Sequence, residues 1–114
     1  MKILLIDDRR YLEGARIARN FADGIAALQE EKFDILYLDH DLGDFSGPEG
    51  RELTGYTVAC WLEANPEHLP KMLLLVSDNT VGQGRIRLAL EKYYGRIERV
   101  RIATLEENDE PAAS

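Results

Sequence analysis

Three ionisable side chains, Asp39, His40 and Asp41, close an apolar run in Asp34-Ile35-Leu36-Tyr37-Leu38-Asp39-His40-Asp41-Leu42-Gly43. An acidic pair, Asp7-Asp8, closes the earlier run Ile3–Ile6, and Ser77-Asp78-Asn79 closes a later one over residues 72–76. Carboxylates brought together repel and raise one another's pKa, so a buried cluster either shares protons or takes a cation. Oxygen-only ligands suit Mg²⁺, Mn²⁺ or Ca²⁺ better than zinc. Asp7, Asp8, Asp39 and Asp41 are the expected ligands. His40 is able to give and take a proton near neutral pH, which suits acid–base work on a phosphoester. Ser77 and Asn79 offer a hydroxyl and an amide to a phosphoryl oxygen. Arg10, two residues past Asp8, offers a planar fork of donors to a substrate phosphate. Each also has a plainer reading. Asp caps turns and loops, Ser-Asp-Asn caps helices, a histidine beside an aspartate orders a hydrogen bond, and Arg10 bridges to Asp8 or faces solvent.

The elements that must position these groups are strands. Apolar runs at Ile3–Ile6, Ile35–Leu38, 72–76 and 100–103 alternate with helix-like segments, the pattern of a parallel sheet wrapped by helices. Unbroken apolar runs fit strands buried on both faces, and in such sheets ligands bind beyond the carboxyl ends of the strands. Residues 15–19 read as a short edge strand and 22–31 as a helix, with Asp23 in its first turn and Ile25 and Leu28 inside. Thr54-Gly55 opens a second helix, carrying Val58, Trp61 and Leu62 and ending at Asn65-Pro66. A third has Ile86, Ala89, Leu90 and Tyr93 on one apolar face, Arg87, Glu91 and Lys92 outside, and Gly95 as its stop. Residues 43–52 form a polar loop placed to act as a flap over the Asp-His-Asp cluster. The expected fold is α/β, a doubly wound, mostly parallel five-stranded sheet.

With 114 residues and 12.9 kDa the chain reads as one domain, residues 1–104, followed by an acidic, flexible tail over 105–114. An apolar fraction of 45% and a charged fraction of 31% are those of a soluble globular protein, and no apolar run approaches a membrane span. Asp7-Asp8 follow Ile3–Ile6 at once, without a small-residue cleavage pattern, so the run reads as a strand and a cytoplasmic location is expected. The formal charge of −7 argues against a duplex nucleic-acid partner. The single Cys60 reads as a buried structural thiol. His68 falls in a linker and has no assigned role, and no sequence feature sets the oligomeric state.

An acidic pair after the first strand, an aspartate after the third and a Ser/Thr after the fourth resemble the receiver domains of two-component signalling. That resemblance implies a receiver (flavodoxin-like) fold, with Asp39 accepting a phosphoryl group, Asp7 and Asp8 holding Mg²⁺, and Ser77 binding the phosphoryl group. The lysine that receivers carry after the fifth strand has no counterpart in Val100-Arg101-Ile102-Ala103-Thr104. A closer resemblance is to receiver-like domains assigned to cyclic-phosphate processing, often found in phage and mobile-element contexts. Their patterns are Leu/Ile-Asp-Asp-x-Arg, Leu-Asp-His-Asp-Leu-Gly, Thr-Gly-Tyr and His-Ser-x-Asn. This chain has Ile6-Asp7-Asp8-Arg9-Arg10, Leu38-Asp39-His40-Asp41-Leu42-Gly43, Thr54-Gly55-Tyr56 and Ser77-Asp78-Asn79, with Val76 where the pattern has histidine. The similarity spans residues 2–104 and accounts for the shortened segment after the first strand.

The resemblance implies metal-dependent hydrolysis of a cyclic or terminal phosphate on a nucleotide or RNA end. His40, Asp39 and Ser77 are its expected catalytic residues and Arg10 and Asn79 its substrate contacts, with Mg²⁺ or Mn²⁺ on Asp7, Asp8, Asp39 and Asp41. The alternatives are a non-catalytic module that binds a cyclic nucleotide or a partner protein, and an atypical phospho-acceptor with Asp39 as nucleophile.

Overall fold

The apolar runs become strands β1 (Ile3–Ile6), β3 (Ile35–Leu38) and β4 (Met72–Leu75), and a short edge strand, β2 (Arg16–Ala18), follows β1 without an intervening helix. The computed structural model describes residues 1–104, so the tail expected over 105–114 lies outside the described residues. All strand pairs are parallel, in the order β2-β1-β3-β4. The register sets Ile6, Leu38 and Leu75 level across the sheet. The residues that follow them therefore leave the sheet along one edge, which is how the separate polar clusters meet.

Three helices, α1 (Phe21–Glu30), α2 (Gly55–Ala64) and α3 (Thr80–Tyr94), each begin at a side-chain cap: Asn20, Thr54 and Asn79. Such caps satisfy backbone N–H groups that the first helical turn leaves free. Ala27 and Leu28 of α1, Val58 and Leu62 of α2, and Ile86 and Leu90 of α3 share one core with Leu4, Ile6, Leu36, Leu38, Leu73 and Leu75. These strand residues alternate along the chain, so all three helices cover the same face of the sheet. On the other face Ile3, Ile35, Tyr37 and Leu74 are half-buried and Met72 is 50% exposed, although Leu5 is fully buried. Among the described residues, the expected double winding is corrected accordingly. Connections from β2 to β3 to β4 step across the sheet in one direction, and right-handed crossovers that step one way place their helices on one side.

The expected fifth strand is also corrected. On the side of β4 away from β3, the pairing among the described residues is a single parallel bridge from Arg99 to Leu75, with Leu75 N–H donating to the Glu98 carbonyl and Val100 N–H to the Leu75 carbonyl. The chain then runs to the loop after β1, where Arg10 and Thr104 make an antiparallel bridge. Arg101 breaks the apolar run, and the buried side chain in this region is Ile97.

Smaller expectations are adjusted by packing. Tyr93 is 42% exposed, and Tyr94 takes the inner position, its hydroxyl donating to the Pro70 carbonyl at 2.5 Å. Gly95 ends α3 with φ at 68°, a conformation glycine adopts without steric cost. Cys60 is half-buried rather than buried. The loop over residues 43–52 is tied at its base by an Asp44–Leu53 bridge. Asp44 also accepts from Phe21 N–H at 2.9 Å and Ser46 N–H at 3.0 Å, fastening the loop to the start of α1. Among the described residues, no helix is long and apolar enough to cross a membrane.

Candidate metal and phosphate site

Asp7 and Asp39 extend β1 and β3 by one rung: Asp39 N–H donates to the Ile6 carbonyl, and Asp7 N–H to that of Ala18, each at 3.0 Å. Asp7 then turns the chain. Its Oδ1 accepts from Arg9 N–H at 2.8 Å and Arg10 N–H at 2.7 Å. This turn folds the Arg10 side chain back over the acids, where Nη1 lies 3.0 Å from Asp7 Oδ2 and 3.6 Å from Asp39 Oδ1. Arg10 is 6% exposed. Burial opposes its charge, but Asp7, Asp39 and Asp78 outweigh that and hold its pKa above the ordinary arginine value. Arg10 is thus the cation beside Asp39, in a chain that lacks the receiver lysine.

Asp7, Asp8 and Asp39 each bring a carboxylate oxygen within 4.8 Å of the others. Burial first, and the Asp7 charge second, push the Asp39 pKa from its ordinary 3.8 up to about 7, with Asp8 adding to the rise and Arg10 and Ser77 opposing it. Asp8 Oδ1 is buried and has no hydrogen-bond partner among the described residues. A buried carboxylate oxygen without a donor is costly, and a bound cation removes that cost. One guanidinium among three carboxylates, with one oxygen orphaned, fits a hard divalent cation.

Asp41 lies outside that trio. It lines the same cavity, of about 350 Å³, together with Asp8, Arg9, Arg10, Asp39 and Ser77. Its Oδ1 is 2.9 Å from His40 Nδ1 and accepts from Asn79 Nδ2 at 3.2 Å. His40 first and Asn79 second hold the Asp41 carboxyl below its usual range. Asn79 Oδ1 caps α3 by accepting from Gly82 N–H at 2.8 Å, so both ends of this amide are engaged within the fold. Ser77 is buried, its hydroxyl accepting from Asn79 N–H at 3.0 Å and lying against Asp39. Val76, also buried, lines an adjacent cavity with Arg10 and Asp78.

Two glycines seat this arrangement. A Cβ on Gly55 would lie 2.0 Å from the Asp39 carbonyl oxygen, so only glycine lets α2 start against the Asp39-His40 backbone. Gly55 N–H donates to the His40 carbonyl there at 2.8 Å. A Cβ on Gly82 would lie 2.3 Å from the His40 ring, which fixes that ring against the first turn of α3. The Thr-Gly-Tyr element therefore combines a cap at Thr54 with a close backbone approach at Gly55. Missed from sequence were Asp78 and Arg99: Arg99 Nε donates to the Ser77 carbonyl at 2.9 Å and Nη2 to Asp78 Oδ1 at 2.5 Å. An arginine just ahead of an expected strand carries no signal of that reach.

The sequence profile described as the cyclic-phosphate processing receiver domain matches residues 1–92. This chain belongs to that family. A crystal structure of a response regulator protein from Burkholderia pseudomallei, with a phosphorylated aspartic acid, calcium ion and citrate, shares the receiver fold at a TM-score of 0.61 and 15% identity. The match covers 94% of this chain and 63% of that chain. No curated protein matches the chain in sequence.

Proposed function

We propose that this receiver domain hydrolyses a cyclic or terminal phosphate on a nucleotide or RNA end, using Mg²⁺ or Mn²⁺ held by Asp7, Asp8 and Asp39. The observation that carries the reading is the buried, unpartnered Asp8 Oδ1 beside two further carboxylates within 4.8 Å. The ion, when bound, would neutralise charge that develops on phosphoryl oxygens. Arg10 and the Ser77 hydroxyl, on the wall of the same cavity, orient the phosphate. With Nδ1 turned to Asp41, His40 is left with Nε2 to carry a proton from the attacking water to the leaving oxygen as the P–O bond breaks. Asp41 acts as a positioning residue for that imidazole.

Phosphorus NMR of nucleoside cyclic phosphates and oligonucleotides ending in a cyclic phosphate tests this. The cyclic signal should convert to a monoester signal with Mg²⁺ or Mn²⁺ and persist with a chelator. Saturable binding without conversion replaces hydrolysis by the binding-module reading, and Val76→His, which restores the family pattern, then tests whether that position limits turnover. A phospho-acceptor reading draws on Asp39 sitting buried beside Ser77, in a fold shared with a response regulator that carries a phosphorylated aspartic acid. A gain of one phosphoryl group in intact mass after exposure to a small phosphodonor, absent in Asp39→Asn, would favour it over hydrolysis.

A further inference from the structure

Beside the acidic cavity lies a second one, of about 300 Å³, which shares Arg10 and Asp78 with the first. Its far wall is the segment after α3 that bridges to β4 at Arg99, including Arg99, Arg101 and Ile102. The charge there reverses that of the chain. Against a formal net charge of −7, three guanidiniums and one carboxylate line this cavity. Arg10 is already answered by Asp7 and Asp39. The Asp78 carboxylate, 72% exposed, reaches Arg10 Nη2 at 3.3 Å and Arg99 Nη2 at 2.5 Å, so two forks at this spot already grip an oxyanion. The bond from Arg99 Nε to the Ser77 carbonyl keeps its guanidinium at the cavity wall. Arg101 is exposed and makes no ion pair among the described residues.

We propose that the ligand of the acidic cavity carries a second phosphate-type anion, and that Arg99 and Arg101 bind it on the far side of Asp78. This inference rests on the cyclic-phosphate reading of the first cavity and narrows its substrate to nucleotides with more than one phosphate group. Together the two cavities reach the size range of small-ligand sites, whereas either alone is at its lower end. The recognised chemistry is an oxyanion, supplied by a phosphodiester of an oligonucleotide or by the terminal phosphate of a single nucleotide.

Calorimetric titration with Mg²⁺ present compares three ligands: a nucleoside cyclic phosphate, the same compound phosphorylated on its primary hydroxyl, and a dinucleotide ending in the cyclic phosphate. The second anion should tighten binding about tenfold, and Arg101→Ala or Arg101→Glu should erase that gain without altering affinity for the first ligand. A gain with the dinucleotide alone assigns the cavity to a phosphodiester, and a gain with the phosphorylated nucleoside alone assigns it to a terminal phosphate. Equal affinity for all three ligands, or a gain that survives both Arg101 variants, overturns the proposal while leaving the first cavity's reading intact. If none of the three binds, both readings fall.

Discussion

Asp39→Asn separates charge strain from metal binding. In the native protein the Asp39 carboxyl is raised from 3.8 to about 7, which makes its ionisation cost roughly 4 kcal/mol more than in the unfolded chain. Because the folded-state value is the higher one, the native protein holds a proton between about pH 4 and pH 7 that the unfolded chain has released. This contribution is fully present below the unfolded value, is lost as pH rises through the folded one, and is flat above it. Asparagine has nothing to ionise. Relative to wild type, the variant should therefore gain up to roughly 4 kcal/mol between about pH 4 and pH 8, less whatever the new amide loses in contacts to Ser77 and Arg10. Added Mg²⁺ or Mn²⁺ should raise the melting temperature of the wild-type protein, most strongly above pH 7, and should do little for the variant. Urea melts at the two pH values and thermal melts with and without metal measure both effects. A variant with no relative gain at the higher pH, or one stabilised by metal as much as wild type, would refute the reasoning.

Gly55→Ala places a methyl 2.0 Å from the Asp39 carbonyl oxygen, so α2 must withdraw from the site. The expected cost is about 3 kcal/mol in urea unfolding, with loss of the thermal response to metal as Asp39 shifts. Asn79→Ala removes the α3 cap and should cost about 1 kcal/mol. Because Asn79 helps to hold Asp41 in its ionised form, the Asp41 carboxyl should titrate at higher pH in this variant, as read by carbon NMR.

The strand ends were legible because four apolar residues followed at once by acids leave few alternatives to a buried strand that opens into a site. The register that sets Ile6 level with Leu38 then brings Asp7 and Asp39 together. The covered face was not legible in the same residues. An unbroken Ile-Leu-Tyr-Leu run hides the alternation between buried Leu36 and half-buried Tyr37, and the one-sided arrangement follows from the missing helix between β1 and β2. Asp41 was grouped with Asp39 because both close the same apolar run. β3 ends at Leu38, however, so Asp39 alone continues the ladder, and Asp41 turns to His40 and Asn79. Arg10 was recognised as a donor but not as the guanidinium packed among the acids, since the Asp7 turn that folds it back is a tertiary feature. Tyr93 and Tyr94 fit the helical period about equally well, and the Pro70 carbonyl selects Tyr94.

A hard cation shared by Asp7, Asp8 and Asp39 is the claim on which the proposed chemistry depends, and titration of Mn²⁺ by calorimetry above pH 7 tests it most directly. Wild-type protein should bind one ion per chain, and Asp8→Asn, which alters the carboxylate with the unpartnered oxygen, should weaken that binding at least tenfold. Absence of heat with wild type, or undiminished affinity in Asp8→Asn, would contradict it.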